Sequence, residues 1–172
     1  MRLKPRFTSV LPVVFFCLPS FCADAAMFRG NAQHSGTYDA PGVRKFSSVK
    51  WKFHTAGMLI GSPAVSNGKI YVGSTDGNFY AVDAESGALQ WKVEVKSRIP
   101  SSPAVADGIV YFGAYDGIFY AVDAATGKLK WKFQTGGERR FAAKHLHGVQ
   151  PVSETMPDPF DCYLSSPVVW HG

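Results

Sequence analysis

Residues 62–92, SPAVSNGKIYVGSTDGNFYAVDAESGALQWK, are said again by residues 102–132, SPAVADGIVYFGAYDGIFYAVDAATGKLKWK. At the offset of 40 that superposes them, 19 of 31 positions are identical, including every Gly, Pro and Trp. An internal repeat of this period marks a stacked or radial array, in which one unit cannot bury its own faces and needs its neighbours. Inside each copy the turn signals fall about ten residues apart: Asn67-Gly68, Asp76-Gly77 and Ser86-Gly87, then Asp107-Gly108, Asp116-Gly117 and Thr126-Gly127. Three turns of hairpin type separate four short runs. Those runs, such as residues 69–72 and 118–122, are β-branched and aromatic and lack the 3.6-residue period of an amphipathic helix.

Each repeat is therefore predicted to be a four-stranded antiparallel meander. The inner runs are apolar at nearly every position, which implies that both faces of each sheet are covered. With no helical segment to cover them, the sheets are expected to cover each other, and the predicted fold is all-β, a partial β-propeller of four-stranded blades.

At this point the sequence resembles a known family. The segments from Ala81 through Asp83 and Gly87 to Trp91, and from Ala121 through Asp123 and Gly127 to Trp131, are similar to the A-x-D-x-x-[ST]-G-x-x-x-W tryptophan-docking motif of propeller repeats of the pyrroloquinoline-quinone (PQQ) type. That family includes quinone-dependent alcohol dehydrogenases and a propeller protein of outer-membrane β-barrel assembly. The resemblance implies a structural role for these eight residues: the alanines leave room for an indole, the aspartates accept turn N–H groups, the glycines take the turn's unusual φ, and the tryptophans lock one blade to the next. It specifies fold rather than activity.

Residues 1–25 read as a targeting segment, with Arg2, Lys4 and Arg6 ahead of a short apolar stretch and an A-x-A cleavage signal at Ala23-Asp24-Ala25. The stretch is shorter than the ~20 apolar residues a spanning helix needs, so no transmembrane span is expected after cleavage. The mature chain is expected to lie in a bacterial periplasm or be secreted. Cleavage there would lower the formal charge from +5 to 15 − 12 = +3 and leave Cys162 alone among the three cysteines, so no disulfide framework is available within the chain. Cys22 follows Phe21 rather than the small residues of a lipid-attachment signal.

Residues 26–60 are read as a leader followed by a strand around Trp51, which sits 40 before Trp91 and is expected to close a blade. Residues 61–172 carry the repeats. Lysines flank the tryptophans, but on a strand alternate residues point opposite ways, so Lys130 and Lys132 are expected to face out while Leu129, Trp131 and Phe133 face in; no nucleic-acid partner is expected. About 24 extra residues form an insertion over residues 136–164, with Arg139, Arg140, His145, His147, Asp158 and Cys162. His145 and His147 could share one side of a strand and ligate a metal with Cys162 or Asp158, but an ordinary polar loop is the expected reading. The chain then restarts the repeat at Ser165 and ends at Gly172 inside its first turn, so a truncated fragment of a longer protein is expected.

No catalytic, metal or cofactor-binding residue is assigned. The expected function is that of an extracytoplasmic scaffold propeller with protein partners or further blades as its contacts. The alternative is a periplasmic dehydrogenase using PQQ and Ca²⁺, permitted by the resemblance alone, whose active-site residues would lie in blades outside this chain.

Overall fold

The computed structural model describes residues 24–38, 45, 48–135, 140–142, 155–157 and 166–170. Each repeat folds as one sheet. β1 (Ala64–Ser66), β2 (Lys69–Gly73), β3 (Asn78–Asp83) and β4 (Leu89–Glu94) form the first, in chain order. β5 (Ala104–Ala106), β6 (Ile109–Gly113), β7 (Ile118–Asp123) and β8 (Leu129–Gln134) form the second, and every pairing is antiparallel. The turn chemistry sets the register. Asn67 and Gly68 take φ of 49° and 70°, the mirror-image turn that matches strand twist, and Ser66 is held opposite Lys69. Among the described residues there is no helix, and so none long and apolar enough to cross a membrane. The architecture is two neighbouring blades of a β-propeller.

The cross-strand partners assign every side chain to a face, because directly opposed residues point the same way. In the first sheet Tyr71, Phe79 and Trp91 share one face with Ala64 and Ala81, while Val72, Tyr80 and Val82 share the other. The first of these faces packs against the second sheet's Val105, Val110, Phe112, Tyr120 and Val122 to make the main core. Phe79 and Phe112 stack at its centre with ring centroids 4.1 Å apart and planes 11° from parallel. Val72, Tyr80 and Val82 are covered by Trp51 and Phe53. Residues 50–54 belong to no sheet, yet they alternate between exposed and half-buried, and the two aromatics point at the first sheet. The order of layers is thus residue 51 segment, first sheet, second sheet, each presenting indoles to the next.

The expected in–out alternation holds along β4 and β8 only up to a point. Register shifts between Ala81 and Val82, and again between Ala121 and Val122, so that Trp91 opposes Ala81 while Leu89 opposes Val82, and Trp131 opposes Ala121 while Leu129 opposes Val122. Gln90 and Lys130 are the extra residues of two β-bulges. Leu129 therefore lies on the opposite face from Trp131 and Phe133, a correction to the alternation predicted from sequence. β8 is also exposed along its whole length, with Leu129 at 53%, Trp131 at 45% and Phe133 at 64%, since no third sheet covers it among the described residues.

The insertion contributes a two-stranded antiparallel ribbon, β9 (Arg140–Ala142) with β10 (Thr155–Pro157), in which Phe141 opposes Met156. His145, His147, Asp158, Cys162 and Arg139 lie outside the described residues. After the insertion, residues 167–170 lie over Tyr111, Phe119 and Trp131, with Pro167, Val168, Val169 and Trp170 lining a shared cleft.

The two copies differ at one instructive glycine. A Cβ on Gly73 would lie 2.3 Å from Ile99 Cγ2 and 2.8 Å from its carbonyl oxygen, because the fully buried Ile99 of the inter-sheet connection is seated over it. At the equivalent Gly113 the nearest atom is 3.9 Å away. Gly73→Ala is expected to cost about 2 kcal/mol through overpacking, and Gly113→Ala less than about 0.5 kcal/mol; equal shifts in the two unfolding curves would contradict the assignment of Ile99 as the cap.

Candidate functional site: the seam between the sheets

The residues singled out in the sequence gather where one sheet meets the next. Asp83 and Asp123 each end a strand and organise the turn after it. Asp83 Oδ1 accepts from Ser86 N at 2.8 Å, Ser86 Oγ at 2.7 Å and Glu85 N at 3.2 Å. Asp123 Oδ1 repeats this with Thr126 N at 3.0 Å, Thr126 Oγ1 at 2.9 Å and Ala125 N at 3.1 Å, and its second oxygen is 3.2 Å from Lys130 Nζ. The hydroxyl side chain just before the glycine is thus part of the turn. Gly87 and Gly127 follow with φ of 73° and 71°.

Each glycine serves as a floor for an indole. A Cβ on Gly87 would come within 2.6 Å of the Trp51 ring, and one on Gly127 within 2.7 Å of the Trp91 ring. Above the floor, Trp51 Nε1 donates to Ala84 O at 3.1 Å and Trp91 Nε1 donates to Ala124 O at 3.1 Å. The indole therefore uses its one donor on a turn carbonyl of the following sheet while its ring excludes water from the glycine. Tyr71 Oη adds a second bond to Ala124 O, also at 3.1 Å. Burial pushes the Tyr71 phenol up, with the Asp24 and Asp123 charges adding to it, so the group remains a donor. Lys50 pairs with Glu85 at the rim of the first seam.

Ala81 and Ala121 are fully buried opposite Trp91 and Trp131. Trp91 also meets Tyr71 at 5.9 Å and Phe79 at 6.2 Å between ring centroids. Trp131 keeps the same neighbours from its own sheet, Tyr111 at 5.9 Å and Phe119 at 6.1 Å, but no glycine floor faces it among the described residues. Seven of the eight motif residues thus take part in turns or covered faces, and Trp131 presents a half-made seam.

Asp76 and Asp116 form a second repeated device that the sequence reading absorbed into turns. Asp76 Oδ1 accepts from Asn78 N at 2.9 Å, and Oδ2 accepts from Tyr80 Oη at 2.8 Å and from Ala56 N at 3.0 Å. Asp116 accepts from Ile118 N at 3.0 Å and Tyr120 Oη at 2.6 Å. Partial burial opposes ionisation of Asp76, but the bonds from Asn78, Tyr80 and Ser74 outweigh it and the carboxyl titrates below its ordinary value. Tyr80 is pushed up to about 12 by burial and by the bond to Asp76, and Tyr120 is raised further for the same reasons. The D-G-x-F-Y spacing could have revealed the pair, since Asp and Tyr four apart lie across a tight turn.

Among the described residues no three of His, Cys, Asp and Glu converge as a metal site. Sequence reasoning also missed His34, whose Nε2 is buried without a hydrogen-bond partner. With Phe28 it lines an open cleft beside Ser62, Ser102 and Ser166, the equivalent serines of three repeats, and Ser62 N donates to Ser102 Oγ at 2.9 Å.

Two outcomes follow for the seam. Trp91→Ala is expected to destabilise the chain by about 3 kcal/mol, and Trp91→Phe, which keeps most of the ring contact but loses the N–H bond, by about 1 kcal/mol; urea unfolding of the two variants reads the difference. The carboxyl of Asp123 is held down to about 2, by the Thr126 hydroxyl first, then Lys130 and the Thr126 amide, against 3.8 for the unconstrained group. A carboxyl depressed on folding stabilises the native state fully above about pH 4 and loses that contribution as pH falls towards 2. Asp123→Asn is expected to flatten this acid limb of a stability–pH curve; an unchanged limb would show that the turn does not hold the charge.

The comparisons agree with this geometry. A PQQ-repeat family model described as outer membrane protein assembly factor BamB matches residues 37–154, more than half of the chain. No curated protein matches the chain significantly. Among solved structures, the quinohemoprotein alcohol dehydrogenase from Comamonas testosteroni aligns with a TM-score of 0.56 and 21% identity over 68% of this chain and 20% of its own. A europium-containing methanol dehydrogenase aligns with a TM-score of 0.57 and 21% identity over 67% of this chain and 23% of its own. BamB from Moraxella catarrhalis aligns with a TM-score of 0.48 and 22% identity over 51% of this chain and 28% of its own. The chain thus spans less than a third of the length of these proteins. The repeated meanders, the indole on its glycine floor and the family match lead to one conclusion: the chain belongs to the PQQ-repeat β-propeller family that is described by the outer membrane assembly factor BamB.

Proposed function

We propose that this chain is part of an extracytoplasmic propeller that acts by binding other proteins, with the docking motif as its structural joint and no catalytic role of its own. The observation that carries this reading is the use to which its carboxylates are put. Asp76, Asp83, Asp116 and Asp123, the acidic residues repeated in both blades, all accept hydrogen bonds from their own turns. None is left over to serve as a base or to gather around a cation. The match to a family described by an assembly factor supports a scaffold role, and the basic, apolar N-terminal segment supports export.

The family resemblance also permits PQQ with Ca²⁺. The described residues do not fit that pair: a calcium ion takes six to eight oxygen ligands, several of them carboxylate, whereas the four repeated aspartates are engaged in turns and no three His, Cys, Asp or Glu side chains converge among the described residues.

Trp131 and Phe133 on β8 are 45% and 64% exposed, and no third sheet lies on them among the described residues, which supports further blades as the nearest partners of this chain. The chain is expected to self-associate when produced alone, and light scattering on a size-exclusion column measures it; a stable monomer would remove the argument for a covering partner. Full-length protein supplied with PQQ and calcium is expected to show no dye-linked alcohol oxidation. Turnover would overturn the scaffold reading.

A further inference from the structure

Residues 24 and 25, read from sequence as the end of a cleaved leader, and Ala26, read as the first residue after the cut, are built into the fold. Ala25 forms an antiparallel bridge with Val65 on the free edge of β1, donating to Val65 O at 2.8 Å and accepting from Val65 N at 2.9 Å. Ala26 O accepts from Val105 N at 2.6 Å, so the same three residues reach the free edge of β5 in the other blade. Asp24 completes the contact: Ser66 Oγ donates to Oδ2 at 3.0 Å, and Asn67 N donates to Oδ1 at 3.1 Å. The segment is a clasp across the two innermost strands.

We propose that this clasp is retained in the exported protein and that its leader is cut upstream of Asp24, after Cys22. The inference rests on the export reading given above. Cutting after Ala25 would remove Asp24 and Ala25 together. Val65 would lose both partners on the β1 edge, and the Ser66 hydroxyl, only 6% exposed, would lose its acceptor. The retained segment gives these groups fixed partners on the strand edge, which water would have to replace after the cut. It would also place a new ammonium group on Ala26, next to the carbonyl that Val105 uses. The sequence offers a site that avoids this. Signal cleavage requires small residues at the first and third positions before the cut, and Ser20 and Cys22 provide them three residues upstream of the Ala23-Asp24-Ala25 signal.

The test is the N-terminal sequence and intact mass of the full chain exported to the periplasm of a Gram-negative host. Material starting at Ala23 is the expected result. Material starting at Ala26 overturns the proposal while leaving export intact. An uncut chain starting at Met1 and retained in the cytoplasm overturns export and the clasp assignment with it, so the two failures are distinguishable. Two variants report on the parts separately. Cys22→Leu is expected to slow processing several-fold and Ala25→Leu to leave its rate unchanged; the reverse pattern overturns the assigned cut. Asp24→Ala is expected to lower the thermal midpoint of the purified chain by about 3 °C, and an unchanged midpoint overturns the clasp.

Discussion

An indole laid over a glycine, with its N–H given to the carbonyl three residues before that glycine, is the contact on which the arrangement of sheets depends. The geometry is possible only because the glycine has no side chain and sits at positive φ, where the turn exposes its carbonyl towards the neighbour. The aspartate that begins the turn fixes it by accepting from the amides two and three residues on and from a hydroxyl. Motif residues are therefore coupled: the carboxylate shapes the turn, the turn presents glycine and carbonyl together, and only then does the indole have a seat.

The same coupling explains why the fold leaves little polar chemistry in the blades. The aspartates that recur in both repeats are consumed by turns, as in the Asp–Tyr pairs that bridge four residues at 2.8 and 2.6 Å. Ser101, fully buried, donates to Gly113 O at 2.8 Å and accepts from Gly113 N at 3.0 Å, joining the connection to the end of β6. One fold of this kind can host many activities, because the site of each is grafted onto it rather than built from the joints that hold it together.

Much of this was legible because repetition turns one sequence into two independent samples of the same design. The glycine spacing gave four strands per copy, the continuous apolar runs gave the coverage seen on both faces of the first sheet, and the 40-residue offset of Trp51 from Trp91 marked Trp51 as a further copy of the same indole, though not the sheet on which it sits. Other features were not legible, each for a physical reason. A β-bulge adds one residue without changing composition, so the alternation Leu129, Trp131, Phe133 looked unbroken although Leu129 faces the other way. Ile99 lies in an irregular connection, and only the folded chain shows that it caps Gly73 and separates that glycine from its twin. Within the insertion, the low β-propensity of the intervening residues concealed the short ribbon.

The direction of the seams has a consequence for how such a chain comes off the ribosome. In both seams the indole precedes its acceptor by 33 residues, Trp51 ahead of Ala84 and Trp91 ahead of Ala124. Contacts within a blade are more local still, so each unit can close before the next has been made, and low sequence separation favours rapid, ordered folding. At every moment of growth one tryptophan waits uncovered for the turn that will receive it. A pause in translation would lengthen that wait, and the sticky species it creates would have the same exposed ring whichever blade was last completed.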